Sequence, residues 1–443
     1  MHPLKLSKIF GWKLYGIPKT FVGVSINSKT IKEEELFVPL KGKNFDGHTF
    51  IEEALRRGAV GFLFQKGKLN DANLRRLTRN AFALEVEDTF LALRDLARLR
   101  RGLFKGKEII AITGTAGKTT LKELLAHLLS SAGDVYKTPG NFNSQLGVPL
   151  TLANANTEAD YWVLELGASE RGNIQKLVKL SKPTLGVLTS LGKAHLEGFK
   201  TFENLIREKG EIFNHPSVKK VVLPNEVMHF YSSLLEEKAF RTFEGLKHYR
   251  FTKEGKTLID LEGDTVEVNL LGEGIVRAVS VALKVLELLN LPSKELLKEM
   301  LPTFKGERGR MQPLLGKGYL VIDDSYNANP LSMESALKTL VKVEGYTRRV
   351  AILGDMLELG KSEIEEHKKL GTLLEILPID EIYLFGELTK YTCGEVKNKP
   401  CRWFVDKGRL LKVLKEREPK EETVYLIKGS RGTKMEEVLQ VLF

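Results

Sequence analysis

An apolar run, Ile109-Ile110-Ala111-Ile112, breaks off at Thr113-Gly114, and no other stretch constrains the fold of this chain as tightly. A tight glycine-containing turn follows. Lys118-Thr119-Thr120 then opens a segment with Leu121, Leu124, Leu125 and Leu128 at helical spacing. A buried strand, a turn rich in N–H groups and a helix N-terminus converge on one point, where the unpaired donors and the helix dipole favour an anion. Lys118 can reach the distal phosphates of a nucleotide, and the Thr119 hydroxyl stands where a magnesium ligand would sit. The full phosphate-loop pattern G-x-x-x-x-G-K-[ST] lacks its first glycine here, so an ordinary Gly-rich strand-to-helix turn is the competing reading.

At 443 residues the chain is too long for one core, and a prior of roughly 150 residues per domain suggests three. Residues 1–104 read as a unit of short strands, among them 21–24, 35–40 and 59–64, closed by a helix from about residue 90 to 101. Residues 105–303 start with the loop above and alternate apolar runs with helical segments. Within them, 229–268 alternates apolar and polar residues and suggests an antiparallel appendage at one edge. Residues 304–443 repeat strand, loop and helix without a Gly-x-Gly-x-x-Gly. The architecture is therefore α/β but not a standard dinucleotide binder.

In doubly wound sheets ligands sit beyond the carboxyl ends of strands. Glu165 lies near the end of the apolar run 161–166, where a carboxylate is costly unless paired or bound to a cation; a structural salt bridge is the alternative. His195 follows the strand 185–188 and could ligand Mg²⁺ or bridge to phosphates. Lys209 interrupts an apolar face made by Leu205, Ile206, Ile212 and Phe213. It could neutralise carboxylates, be covalently modified or snorkel, and the residues alone do not choose. The loop 139–149, with Asn141 and Asn143, is dense in amides and leaves both Asx-turns and ligand contact open. Lys428 and Arg431 end the last strand and could reach an anion held by the central domain.

The formal net charge of +11 suits nucleic acid and equally a phosphorylated small substrate. The basic residues fall in short clusters alternating with acidic ones, without a basic stripe bearing stacking aromatics, so no nucleic-acid partner is expected. No apolar run approaches the roughly 20 residues needed to span a bilayer, and the first residues lack the apolar core of a secretory signal. The expectation is a cytoplasmic protein without stable membrane insertion. Cys393 and Cys401 are the only cysteines, which fits a reducing compartment and argues against a cysteine-based zinc site.

Several rare motifs then occur in order: Gly114-Thr115-Ala116-Gly117-Lys118-Thr119-Thr120, Gly140-Asn141-x-Asn143, Glu165, His195-Leu196-Glu197, Lys209-Gly210-Glu211, Arg310, Asp323 through Pro330, Gly354-Asp355-Met356 and Lys428-Gly429-Ser430-Arg431. Together they resemble the ATP-dependent Mur ligases of bacterial cell-wall synthesis, over nearly the whole chain. The resemblance implies a three-domain architecture: a UDP-sugar-binding domain at 1–104, a central P-loop ATPase-like parallel-sheet domain at 105–303 and a Rossmann-like domain at 304–443. It implies an amide ligase that joins D-alanyl-D-alanine to UDP-N-acetylmuramoyl-tripeptide through an acyl phosphate, with an earlier-step ligase adding the third stem amino acid as the alternative. A monomer is implied as well.

By the same resemblance the loop from Gly114 to Thr120 would hold the ATP phosphates, with Lys118 on the β- and γ-phosphates. Thr119 and Glu165 would ligand one Mg²⁺ and His195 would help hold a second. Lys209 matches the family lysine carried as an N6-carboxylate, a Mg²⁺ ligand. Arg310, Asp324, Asn327 and Asn329 would approach the nucleotide from the third domain, and Lys428 and Arg431 the transferring phosphoryl group or the incoming dipeptide. Ser28, Asn141 and Asn143 would contact substrate. Three departures stand out. Ser190 occupies a place where an Asn is common, which would shorten an amide contact to the nucleotide or leave it to water. Asn27-Ser28-Lys29 replaces Asp-Ser-Arg and loses a guanidinium fork. Ser169-Glu170 follows the Glu165 strand where relatives vary.

Overall fold

The structure, a computed structural model, describes residues 1–443 except 43, 193–198 and 262. The chain packs as two compact units, one of residues 1–107, 138–160 and 176–182, the other of 108–137, 161–175 and 183–443.

The first unit holds β1 (Lys13–Gly16), β2 (Gly23–Ser25), β3 (Glu35–Phe37), β4 (Gly61–Gln65) and β5 (Phe82–Val86), in the order β1-β5-β4-β3-β2. Only β1 runs antiparallel to its neighbour. Successive side chains leave opposite faces of a strand, so Leu36, Leu63 and Leu84 join one apolar cluster and Phe37, Phe62 and Phe64 the other. The exposed edge at β2 is closed by a side chain rather than a strand: the Asn154 amide accepts from Val24 N (2.7 Å) and donates to Val24 O (2.9 Å). The amide-rich stretch 139–149 is not wholly a loop. Its last residues open the helix Gly147–Ala153, with Pro149 in the first turn, where a missing N–H leaves nothing unsatisfied.

The second unit contains β6 (Glu108–Thr113), β7 (Val135–Lys137), β8 (Tyr161–Glu165), β9 (Leu185–Leu188), β10 (Lys220–Pro224) and β11 (Ala239–Phe243). They form an all-parallel sheet in the order β11-β10-β9-β6-β8-β7. Every residue of β6 is buried, as both faces of a parallel sheet are covered. The chain builds β7 and β8 on one side of β6, then crosses to β9 on the other. The carboxyl end of β6 is thus the topological switch point at which such sheets bind ligands.

The antiparallel appendage expected at 229–268 is shorter. Only β12 (Tyr249–Phe251), β13 (Thr257–Leu261) and β14 (Asp264–Val268) form it, while β11 extends the parallel sheet. Alternation along an exposed edge strand looks the same whichever direction its partner runs. A second six-stranded sheet follows: β15 (Gln312–Leu315), β16 (Leu320–Asp324), β17 (Arg348–Gly354), β18 (Glu381–Phe385), β19 (Cys401–Phe404) and β20 (Thr423–Lys428), in the order β15-β16-β20-β17-β18-β19. Only β15 is antiparallel. Among the described residues no helix is long and apolar enough to cross a membrane.

Candidate active site

The turn after β6 is built from glycine where nothing else fits. Gly114 has φ 148°, and a Cβ there would stand 2.0 Å from Thr189 Oγ1. Gly117, at φ 79°, is the N-cap of the helix Lys118–Leu129, and among the described residues no side chain caps that helix. Its first N–H groups are therefore left for an incoming anion. The loop is braced from β9: Thr115 N donates to Ser190 O (3.0 Å), Ala116 N to Ser190 Oγ (3.0 Å), and Thr189 Oγ1 to Ala116 O (2.6 Å). Ser190 thus acts on the loop backbone. Lys118 Nζ folds back to Gly114 O at 3.0 Å. Burial lowers its ammonium below the usual lysine range; Glu165 opposes that shift and Arg310 adds to it.

Thr119 Oγ1 donates to Glu165 Oε2 at 2.9 Å, and both residues are buried at the ends of adjacent elements. A hydroxyl and a carboxylate are hard oxygen donors of the kind Mg²⁺ takes, with water and phosphate completing its shell, so the pair fits one such ion. Among the described residues no group of three or more His, Cys, Asp or Glu is arranged for a metal. His195 lies outside the described residues.

Lys209, 3% exposed on the helix Phe202–Gly210, points to the same strand end. Its Nζ stands 3.5 Å from Thr113 Oγ1, which itself donates to Leu166 O (2.9 Å). Burial, joined by the nearby Lys118 charge and opposed by Glu208, pushes the amine down to about 7. The neighbouring Glu208 is also buried and accepts from Gly172 N and Ile174 N, each at 2.6 Å, at the start of the helix Asn173–Ser181. That cap fixes the turn carrying Lys209.

Arg310 and the end of β16 form a second group within the same unit. The Arg310 guanidinium lies 4.2 Å from the Tyr326 ring centroid, and that of Arg431 5.9 Å from it. Among the described residues Arg310 Nε is buried without a hydrogen-bond partner, although Glu307 is 3.4 Å away. Lys428 Nζ donates to Asp324 Oδ2 (2.5 Å) and to Asn327 O (2.9 Å). Burial raises the Asp324 carboxyl against the pull of Lys428 and Arg310. The side chains of Asn327 and Asn329 serve the local backbone: the first accepts from Ala328 N, and the second caps the helix Pro330–Lys342 in a box with Ser332.

Gly114 to Thr120, Glu165, Lys209, Arg310, Asp324, Asn327, Asn329, Lys428 and Arg431 thus share one unit. Ser28, Asn141 and Asn143 belong to the other, where the Ser28 hydroxyl donates to Glu53 Oε2 at 2.8 Å. Sequence reasoning gave no role to Thr113, Glu208 or Tyr326. A buried acid directly before a buried lysine was the available signal for Glu208; the contacts of Thr113 and Tyr326 arise only on folding.

A phosphate loop at the switch point of a parallel sheet, with a carboxylate and a buried lysine beside it, defines a nucleotide-handling α/β protein. Comparison with known proteins narrows the class. Residues 20–101 match the Mur ligase family catalytic domain, 112–285 the Mur ligase middle domain and 309–431 the Mur ligase glutamate ligase domain. The UDP-N-acetylmuramoyl-tripeptide–D-alanyl-D-alanine ligase of Escherichia coli K12 is 32% identical, the alignment covering 99% of this chain and 97% of that protein. The crystal structure of MurF from Acinetobacter baumannii superposes with a TM-score of 0.86 at 28% identity, covering 99% of this chain and 98% of the other. MurF ligase from Thermotoga maritima, in complex with ADP, does so with a TM-score of 0.81 at 31% identity, covering 96% and 97%. This chain belongs to the Mur ligase family.

Proposed function

We propose that this protein joins D-alanyl-D-alanine to UDP-N-acetylmuramoyl-tripeptide at the expense of ATP, giving the UDP-MurNAc-pentapeptide of peptidoglycan synthesis, ADP and phosphate. The observation that carries the reading is the junction of the uncapped Lys118–Leu129 helix with Glu165 and Lys209 at the carboxyl end of β6, in a chain about 30% identical over its length to ligases of that name. The alternative, addition of the third stem amino acid, is not favoured by those relatives. The three-domain division at 1–104, 105–303 and 304–443, a cytoplasmic location and a monomeric state belong to the same reading.

The chemistry follows from the substrates. A carboxylate is a poor electrophile, so the tripeptide carboxylate takes the γ-phosphoryl of ATP, and the dipeptide amine then displaces phosphate through a tetrahedral intermediate. Both steps crowd anions together. The loop N–H groups from Gly114 to Thr120 and the Lys118 ammonium receive the phosphates. Arg310, whose buried Nε makes no hydrogen bond among the described residues, approaches the same charge from the β16 side, beside Asp324, Asn327 and Asn329. Lys428 and Arg431 serve the transferring phosphoryl group or the incoming dipeptide, and Ser28, Asn141 and Asn143 contact substrate.

Thr119, Glu165, His195 and Lys209 would hold two Mg²⁺, which supply charge neutralisation at the phosphoryl oxygens when bound. Lys209 reaches that role as an N6-carboxylate: carbon dioxide adds only to a free amine, and burial near Lys118 brings this amine down to about 7, so a sizeable share of it is unprotonated near neutral pH. Phosphate release from ATP should require UDP-MurNAc-tripeptide and D-Ala-D-Ala together. Turnover that ignores the dipeptide would sink the assignment. A carbamate carbon resonance from ¹³C-bicarbonate, lost in Lys209→Met, tests the modification.

A further inference from the structure

The two cysteines take no part in the chemistry above. Cys393 lies in the helix Thr389–Glu395, and Cys401 opens β19, the edge strand of the C-terminal sheet. They are the only cysteines in 443 residues, both thiols are free and half-buried, and their sulfurs stand 2.8 Å apart. Separate anchors hold each one. The helix start is fixed by Asp355, whose Oδ1 accepts from Leu388 N (3.1 Å) and Thr389 N (2.8 Å). Thr392 Oγ1 donates to His367 O at 2.9 Å. On the other side, Cys401 is in register with Ile382 of β18, and the connecting segment is tied to Glu375 through Lys397 N (3.0 Å). The meeting of the sulfurs is thus set by the surrounding frame.

We propose that Cys393 and Cys401 form a reversible dithiol–disulfide site that staples the helix Thr389–Glu395 to the edge strand, with a low-molecular-weight disulfide as the oxidant. The Cys393 thiolate attacks one sulfur of R–S–S–R; that bond breaks, and the departing R–S⁻ takes a proton. The Cys401 sulfur then attacks Cys393 in the mixed disulfide, the Cys393–Cys401 bond forms, and a second R–SH leaves with the remaining proton. Two electrons pass from the protein thiols to the external disulfide. Burial and the contact with Cys393 raise the Cys401 thiol well above its usual range, which makes it the poorer first nucleophile and casts it as the resolving thiol. In a reducing compartment the pair rests as the dithiol and closes when the thiol–disulfide balance turns oxidising.

The full-length protein is equilibrated with oxidised glutathione, alkylated, digested and analysed by mass spectrometry. The expected product is a Cys393–Cys401 linked peptide, with no glutathione retained, no alkylated cysteine and full reversal by dithiothreitol. The melting midpoint of the oxidised protein should exceed that of the reduced protein. Cys401→Ser should trap one glutathione on Cys393, and Cys393→Ser should be modified far more slowly. Recovery of both cysteines alkylated, glutathione retained on both, or a cross-link only between chains would each overturn the proposal. None of these readouts depends on the ligase activity.

Discussion

Lys209 Nζ approaches the Thr113 hydroxyl to 3.5 Å, which places an amine from the helix Phe202–Gly210 directly over the end of β6. The amine is buried, and Lys118 adds a like charge, so the folded protein holds it at about 7 against an ordinary 10.5. The sign of the linkage is fixed by that ordering. Below about 7 both folded and unfolded chains carry the proton and the penalty stands in full. Between about 7 and 10.5 the unfolded chain keeps a proton that the folded one has lost, so stability rises with pH across that window. The relief amounts to roughly 3–5 kcal/mol. Denaturation of the ligand-free protein in carbon-dioxide-depleted buffers at pH 6.5 and 10, which leave the Lys209 amine uncarboxylated, should give this gain in the wild type relative to Lys209→Met.

Lys118 carries a related tension. Its ammonium is lowered by burial, with Glu165 opposing and Arg310 adding to the shift, a cost that a bound phosphate would offset. Lys118→Met should therefore melt at a higher temperature than the wild type without ligand, while phosphate release falls by about a hundredfold or more. Removal of the Lys118 charge should also raise the Lys209 amine, shifting the pH window of the first experiment upward. A lower melting temperature in Lys118→Met would show that the charge is already compensated without added ligand.

The sheet cores were legible because their signal is local. The run Ile109-Ile110-Ala111-Ile112 followed by Gly114 and Lys118 can hardly be anything but a buried strand feeding a helix. Glu165 and Lys209 were legible as misfits, charges on otherwise apolar elements. Their environment was not, since the bond from Thr119 to Glu165 and the approach of Lys209 to Thr113 join segments far apart in sequence. The direction of β11 escaped for the same reason: its partner β10 is chosen by the crossover, and alternation carries no trace of it. Asn154 gives no sequence signal at all, because its two bonds to Val24 depend on a helix returning to the first sheet.

Asp324 and Lys428 make a largely buried ion pair at the ends of β16 and β20, with the Lys428 side chain 2% exposed and that of Asp324 13%. Lys428→Met would strand a carboxylate that burial already disfavours. The expected cost is about 3–5 kcal/mol, whereas the double variant Lys428→Met with Asp324→Leu should recover most of it, because both desolvated charges are then gone. Urea denaturation of the two variants distinguishes a stabilising pair from one retained for binding. If the double variant is as unstable as the single, the cost lies in packing at the strand ends and not in the unpaired charge.

Asn154 bridges to β2 through both halves of its amide, at 2.7 Å and 2.9 Å. Replacement by leucine keeps the branched shape but leaves Val24 N and O without the amide's two bonds on a sheet edge, so about 1–3 kcal/mol of stability should be lost. The damage should be local. Hydrogen exchange at Val24 should accelerate in Asn154→Leu, while the amides of β6 keep their protection, since the two sites lie in different compact units. If the first unit binds the UDP substrate, KM for that substrate should rise with little change in KM for ATP. An equal rise in both constants would mean that the substitution disturbs the whole chain and that Asn154 is not a local clasp.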